Sequence, residues 1–456
     1  MVNFDGQRTL AQFGKMPEFR DKQRLGPIRK SMDVKHQEVS ASSSQAARSA
    51  QPWYRGATSA QWRALLASTL GWMLDSFDFV IYLMAITTLQ QEFKFGKETA
   101  GLLASVALFT SAAGGLVFGV LADRLGRVRA LMATILIYSL CSLGTASSQS
   151  LAQLIVWRAV LGLGMGGEWS SGAVLVSEIW PAEHRGKAIG IMQSGWAIGY
   201  ILAAVAAAAI LPTLGWRWLF VAGVLPALLV LWVRKGVHEP EVWTRRQREE
   251  RQGWRVETPI GALIGRTLLA IVVTSAVMFG YWGLFTWLPA FLASPVEQGG
   301  AGMSILKSTG WIIPMQAGAF LGYASFGFVS DRAGRKLSFF IYLVGAAVLV
   351  PVYGRMATNP AALMVLGPLL GFFGHGYFSL FGAMLAELFP TSVRASLQGL
   401  TYNAGRGLSA LAPATIGILA ERHGIGPALA LTSAFFMIGA FMILLMPETR
   451  GKQLED

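Results

Sequence analysis

Six ionisable residues fall inside long apolar runs: Asp75, Asp78, Arg158, Glu168, His375 and Arg406. A charge at the centre of a bilayer costs about 2.5–3.5 kcal/mol on insertion scales, so each is a functional candidate by default. Asp75 and Asp78 are three positions apart in GWMLDSFDFVIY and project within about 60° of each other on a helix. Two anions that close repel, and apolar surroundings disfavour both charges. One of them is expected to load and release a proton near neutral pH; the blander reading is a structural ion pair with Arg158. Glu168, ten residues after Arg158, is either a second protonation site or a partner for loop cations. Arg406, in TYNAGRG, offers a planar fork that matches a carboxylate at two points. Tyr402 and Asn403 beside it can add neutral hydrogen bonds. The alternative for Arg406 is a packing arginine paired with a carboxylate. His375, in GFFGHGYF, is a proton relay or a polar lining residue. Tyr281, Gln193 and Gln316, with Trp282, Trp287, Trp311 and Tyr377, are candidate cavity walls, although such side chains more often pack.

The elements that position these residues are helices. The chain has 456 residues, 53% hydrophobic and only 14% charged, with mean hydropathy +0.48. Apolar runs of twenty or more residues recur, long enough to span a bilayer, and no alternating strand pattern appears. The fold class expected is an all-α membrane protein. The spacing predicts spans near 62–89, 99–122, 130–146, 151–179, 187–211 and 216–233, then 263–292, 306–329, 337–356, 362–388, 396–420 and 427–446. The division expected is a basic, disordered tail (1–57), a first six-helix bundle (58–235), a polar linker (236–260), a second bundle (261–447) and a short C-terminal tail (448–456).

The net charge of +13 suggests nucleic acid, but the positions of the cations argue against it. They cluster at Arg124/Arg127/Arg129, Arg185/Lys187, Arg234–Arg266 and Arg332/Arg335/Lys336, while intervening loops such as Ser147–Ser150 carry few or none. That alternation follows the positive-inside rule and puts both termini in the cytoplasm. The lipid bilayer is the expected environment, with no nucleic-acid partner; a bacterial inner membrane is the simplest host and a monomer the expected state. Cys141 is the only cysteine, so no intrachain disulfide can form. No phosphate-binding loop, catalytic constellation or metal-ligand cluster is present. Neither enzyme activity, cofactor nor metal is expected.

The chain also repeats itself. GVLADRLGRVR (Gly119–Arg129) returns as GFVSDRAGRK (Gly327–Lys336), placing Asp123 and Asp331 208 positions apart. Glu178-Ile-Trp-Pro181 with Arg185 returns as Glu387-Leu-Phe-Pro390 with Arg394, 209 on, and Pro240-Glu241 returns as Pro447-Glu448, 207 on. A duplicated unit of some 200 residues rich in apolar helices is a transporter signature. The membrane charges are not duplicated: Arg158, Glu168, His375 and Arg406 match Gly367, Tyr377, Gly166 and Ala197. Shared gating machinery and an asymmetric ligand site thus separate in the sequence itself.

The paired G-x-x-x-D-R-x-G-R loop resembles the signature of the major facilitator superfamily, over roughly residues 53–451. The resemblance implies twelve transmembrane helices in two pseudo-symmetric six-helix bundles around a central cavity. It implies gating roles for Asp123, Arg124, Arg127, Glu178 and Arg185 and for Asp331, Arg332, Arg335, Glu387 and Arg394. R-x-x-x-G-x-G at Arg158 resembles the intramembrane arginine of proton-coupled sugar porters, which faces an aspartate of the first helix. Asp78 is the better match, so an Asp78–Arg158 contact is expected. Trp196 after Gly195 departs from the antiporter motif and favours symport or facilitation. PWYRGATSAQWRALLASTLGWMLDSFDFV, RAVLGLGMGGEWSSGAVLVSEIWP and QGLTYNAGRG resemble the sialate:proton symporter family. That implies symport of protons with a small organic anion, such as sialic acid or a lactate-like monocarboxylate. The rivals are an aromatic-acid or sugar porter of the same fold, and a transporter-like nutrient sensor.

Overall fold

The computed structural model describes residues 56–225, 227–239, 260–389 and 394–449, all helix and connecting turns. Most of the basic tail, the linker segment 240–259 with Glu241, and residues 450–456 lie outside the described residues. The first half holds α1 (Ser59–Phe93), α2 (Lys97–Leu125), α3 (Arg127–Ala146), α4 (Leu151–Ile179), α5 (Ala182–Ile210), α6 (Trp216–Ala222) and α7 (Ala227–Gly236). The second holds α8 (Ile260–Ala293), α9 (Ile305–Ala333), α10 (Arg335–Arg355), α11 (Pro360–His375), α12 (Phe378–Leu388), α13 (Arg394–Ser409), α14 (Leu411–His423) and α15 (Ile425–Leu445). Among the described residues nine helices are long and apolar enough to cross a membrane. With α4, the α6–α7 pair and the α13–α14 pair, these make the twelve spans of an all-α membrane fold.

Three predicted continuous spans are broken. The sixth divides at Gly223–Leu225, the tenth at Gly376 and Tyr377, and the eleventh at Ala410. The eleventh has a visible cause: Pro413 has no N–H to give the Ser409 carbonyl. The Ala414 N–H, in the first turn of α14, is met instead by Ser105 Oγ of α2 at 3.1 Å. The halves pack on each other through related pairs, α2 on the eleventh span and α5 on α9, as a pseudo-two-fold requires. At one end of the bundle further bonds join them. Tyr200 donates to the Phe285 carbonyl (3.1 Å), Thr309 to that of Ala204 (3.2 Å), and the Lys97 N–H to Glu421 (2.9 Å).

The duplicated loops form the other end. Gly126 (φ +115°) joins α2 to α3 and Gly334 (φ +95°) joins α9 to α10. Both have ψ near 150–160°, a region essentially reserved for glycine. A glutamate then caps each following helix. Glu239 accepts from the Val128 and Arg129 N–H groups (3.2 and 3.3 Å), and Glu448 from those of Arg335 and Lys336 (2.9 and 3.1 Å). The third echo therefore needs correcting: the counterpart of Glu448 is Glu239, 209 positions away like the second echo, and not Glu241. We expect Gly126→Ala or Gly334→Ala to cost about 1–3 kcal/mol each. Thermal unfolding in detergent should show lowered midpoints, whereas Gly265→Ala, where an added methyl meets nothing within 4 Å, should not.

Candidate functional site

A small central cavity lies where the halves meet. Among the described residues it is lined by Trp72, Gln193, Trp196, Tyr281, Trp282, Tyr323, Phe378, Tyr402 and Arg406. Its free interior has room for about one water molecule, so a metabolite enters only when the walls part. Seven of the nine side chains are aromatic, one is an amide and one a cation; none is acidic.

Arg406 reaches the cavity from α13 and is 1% exposed. Its Nη1 donates to Ser111 Oγ of α2 and its Nη2 to the Tyr402 hydroxyl, both at 3.3 Å. Its Nε has no hydrogen-bond partner. No carboxylate pairs with it within 4 Å among the described residues, so the packing-arginine alternative is not met. Gln193 donates from Nε2 to the Phe378 carbonyl across the halves (3.3 Å) and leaves Oε1 unpartnered. The Trp72 indole N–H is also buried without an acceptor. The cavity therefore presents donors from Arg406 and Trp72 and an acceptor from Gln193.

Of the predicted lining residues, Arg406, Tyr402, Tyr281, Gln193 and Trp282 line this cavity. Asn403, His375 and Gln316 are not among its lining residues. Asn403 donates to the Gly399 carbonyl (2.9 Å) and turns towards Gly115. His375 is fully buried, with Nδ1 3.1 Å from the Gly371 carbonyl and its ring 4.0 Å from that of Phe285. Gln316 is fully buried with both amide atoms unpartnered. Trp287 and Trp311 are helix ties, donating to the carbonyls of Pro413 and Pro360. Trp72, Trp196, Tyr323 and Phe378 were missed. Two had a signal, since Trp72 sits three positions before Asp75 and Trp196 three after Gln193, on the same helical faces.

The three buried acids are not among the lining residues. Asp75 is fully buried and neither carboxylate oxygen has a hydrogen-bond partner. Arg406 and Arg158 are both near enough to act on it electrostatically. Asp78 accepts from the Ser142 hydroxyl (2.9 Å), beside the bare backbone of Gly223. Arg158 makes no ion pair with Asp78 within 4 Å among the described residues, but the two are near enough to act on each other electrostatically. The three nitrogens of Arg158 have no hydrogen-bond partner, and the guanidinium lies over the rings of Tyr82 (4.3 Å) and Phe79 (5.3 Å). Such cation–π contact offsets part of the cost of burying the charge. Glu168 accepts from the Thr134 hydroxyl (2.7 Å), is 1% exposed, and pairs with no loop cation among the described residues.

At the glycine-loop end the ion pairs run within each half. Arg127 makes a two-point bridge to Glu178 (3.2 and 3.0 Å) and donates to the Ala122 carbonyl (2.7 Å). Arg335 bonds Ser330 (2.7 Å) and Glu387 (3.5 Å), and Glu387 also accepts from Thr449. Arg185 donates to the Ser177 carbonyl (2.8 Å). Arg124 and Arg332 are exposed. The side chains of Asp123, Asp331 and Arg394 lie outside the described residues.

Residues 68–324 match the family described as Major Facilitator Superfamily, and residues 319–456 the one described as Sugar (and other) transporter. The cis,cis-muconate transport protein of Acinetobacter baylyi is 30% identical over 394 residues, covering 84% of this chain and 94% of its own. The chain belongs to the major facilitator superfamily. A second relative, the sialic acid transporter NanX of Escherichia coli, is 28% identical and covers 86% of this chain and 95% of its own, in keeping with the sialate:proton symporter resemblance. The partially occluded, inward-open xylose transporter XylE of E. coli superposes with a TM-score of 0.70 at 18% identity, over 87% of this chain and all of that one. The protein is thus an integral membrane transporter of small molecules. The duplicated glycine loops are the part of the chain that resembles the superfamily signature.

Proposed function

We propose that the protein is a proton-coupled symporter of a carboxylate-bearing metabolite, working by alternating access. Arg406 carries this reading. It is the single charged residue among the described cavity walls, is buried, and keeps Nε unpartnered. A buried, under-satisfied guanidinium is costly and suits an anion that arrives at two points.

Coupling follows from Asp75. An ionised Asp75 competes with the substrate for the field of Arg406; a protonated one leaves the arginine to the incoming carboxylate. Proton and anion therefore favour each other's binding, and linkage makes the effect reciprocal. Asp78, Glu168 and Arg158 complete the buried charge set that tunes this exchange. One proton per monoanion carries no net charge across the membrane. Arg127–Glu178 and Arg335–Glu387, with Arg185, Arg124, Arg332, Asp123, Asp331 and Arg394, brace the cytoplasmic ends during rocking. We place that end, both termini and the 236–260 linker in the cytoplasm of a bacterial cell, and take the unit to be a monomer with bundles at 58–235 and 261–447.

The aromatic walls favour a second reading of the cargo. Seven aromatic side chains suit a flat ring and offer few partners to a polyol. A panel of labelled benzoate, cis,cis-muconate, lactate, N-acetylneuraminate and xylose tests both readings in proteoliposomes with an acid-outside gradient. Carboxylates should accumulate and xylose should not, with ring or diene acids ahead of lactate. Accumulation of xylose alone would contradict the carboxylate reading. Specific binding without uptake of any of them would favour the sensor.

A further inference from the structure

Trp169 lies outside the cavity wall yet touches what holds the cavity's cation. It projects from α4 in the first half, and its ring stacks on that of Tyr402 of α13 in the second, centroids 3.7 Å apart and planes 4° from parallel. Both are buried, at 9% and 3% exposure. Tyr402 in turn accepts from Arg406 Nη2 at 3.3 Å, and the guanidinium carbon lies 5.0 Å from its ring centre. On the other side Ser111, again from the first half, accepts from Nη1. The described polar contacts of the guanidinium thus run to Ser111 and to a tyrosine clamped by Trp169. Arg406 itself belongs to the second half.

Tyr402 sits one helical turn before Arg406, on the side of α13 that begins at Arg394. Trp169 lies ten residues before the end of α4 at Ile179, about 15 Å at 1.5 Å per residue. The stack therefore stands between the cavity and the glycine-loop end, where parting halves would separate it first. A tyrosine released from its stack regains rotamers, and an arginine released from its tyrosine regains more.

We propose that Trp169 is the positioning residue for Arg406: its stack on Tyr402 fixes the guanidinium for the substrate's carboxylate only while the halves are closed at that level. Opening towards the glycine loops removes Trp169 and slackens the anion site, so affinity falls on the side where the substrate leaves. The proposal rests on the reading of Arg406 as the carboxylate anchor.

The test uses full-length protein in nanodiscs, with benzoate as the probe and benzamide as its uncharged twin. Trp169→Leu should weaken benzoate binding at least tenfold and benzamide binding less than twofold. Trp169→Phe, which keeps a ring on Tyr402, should stay within about threefold of the parent. A merely structural role would weaken both ligands equally, and that result overturns the proposal, as does unchanged benzoate affinity in Trp169→Leu. If Trp169→Leu does not fold, Ser111→Ala replaces it: selective loss of benzoate supports the cross-half bracing of Arg406, and equal loss or none overturns it. Arg406→Ala separates the two levels. If benzoate binds the parent and Arg406→Ala equally, the carboxylate reading itself fails; if benzoate does not bind the parent, the ring-acid cargo fails and the same comparison is made with lactate and lactamide. If Arg406→Ala is impaired and Trp169→Leu is not, only the positioning role fails.

Discussion

Arg406→Ala should lower carboxylate uptake by at least a hundredfold while the protein still inserts and purifies. The substitution removes two charge-assisted hydrogen bonds to the substrate. Each contributes about 1.5–3 kcal/mol, and every 1.4 kcal/mol is about a factor of ten in affinity. It also strands Ser111 Oγ and the Tyr402 hydroxyl, whose partners are the two ends of the guanidinium. Arg406→Lys tests the geometry separately. Lysine keeps the charge but is a point donor without the planar fork; with one of its three donors for each of Ser111, Tyr402 and the carboxylate, no two-point grip on the carboxylate remains. We expect it to recover only a small part of the loss. Initial rates of labelled substrate in proteoliposomes, normalised to incorporated protein, measure both. An Arg406→Ala protein with parental rates would remove the carboxylate anchor from this account.

Asp75→Asn should abolish proton-driven accumulation yet leave exchange of substrate for substrate. Asparagine has nearly the shape of a protonated aspartate and cannot ionise. Arg406 then stays free to take an anion, so a loaded carrier still rocks between its two openings. With no proton to carry, a pH gradient cannot drive net uptake, and the accumulation ratio should fall to about one. Asp78 makes a telling control, because its carboxylate already accepts from Ser142, whereas both oxygens of Asp75 are bare. If Asp78→Asn uncouples and Asp75→Asn does not, the coupling acid is the one that sequence resemblance favoured. Counterflow and gradient-driven uptake on the same preparations separate these outcomes.

The helices, the duplicated loops and the buried charges were legible in the sequence because bilayer cost acts residue by residue. Twenty apolar residues announce a span whatever they pack against, and a lone arginine among them announces a role. The loop glycines were legible for a related reason, since their backbone angles exclude other residues. What side chains touch was less legible. Resemblance paired Arg158 with Asp78; the two act on each other electrostatically, but the direct contact to the guanidinium comes from the ring face of Tyr82, one turn beyond Asp78 on α1. Asn403 stands beside Tyr402 in sequence yet turns to the Gly399 carbonyl, because adjacent residues lie 100° apart on a helix. The eleventh-span break was not foreseen although Pro413 stood in the sequence, and that Ser105 meets the Ala414 N–H depends on two helices whose bonded residues are 309 positions apart. Trp169 was passed over for the same reason: beside Glu168 it reads as packing, and its role appears only with Tyr402 in place.

The most direct test of proton–carboxylate symport is proton flux itself. Purified protein is reconstituted in proteoliposomes that enclose a pH-sensitive dye, with no gradient imposed; benzoate, cis,cis-muconate, lactate, N-acetylneuraminate and xylose are added in turn, and the signal of protein-free liposomes, which includes passive entry of the neutral acids, is subtracted. The account predicts that at least one carboxylate acidifies the lumen, that xylose does not, and that the signal disappears in Asp75→Asn and in Arg406→Ala. Carboxylate uptake with an unchanged lumenal pH, or acidification that survives both substitutions, would contradict it.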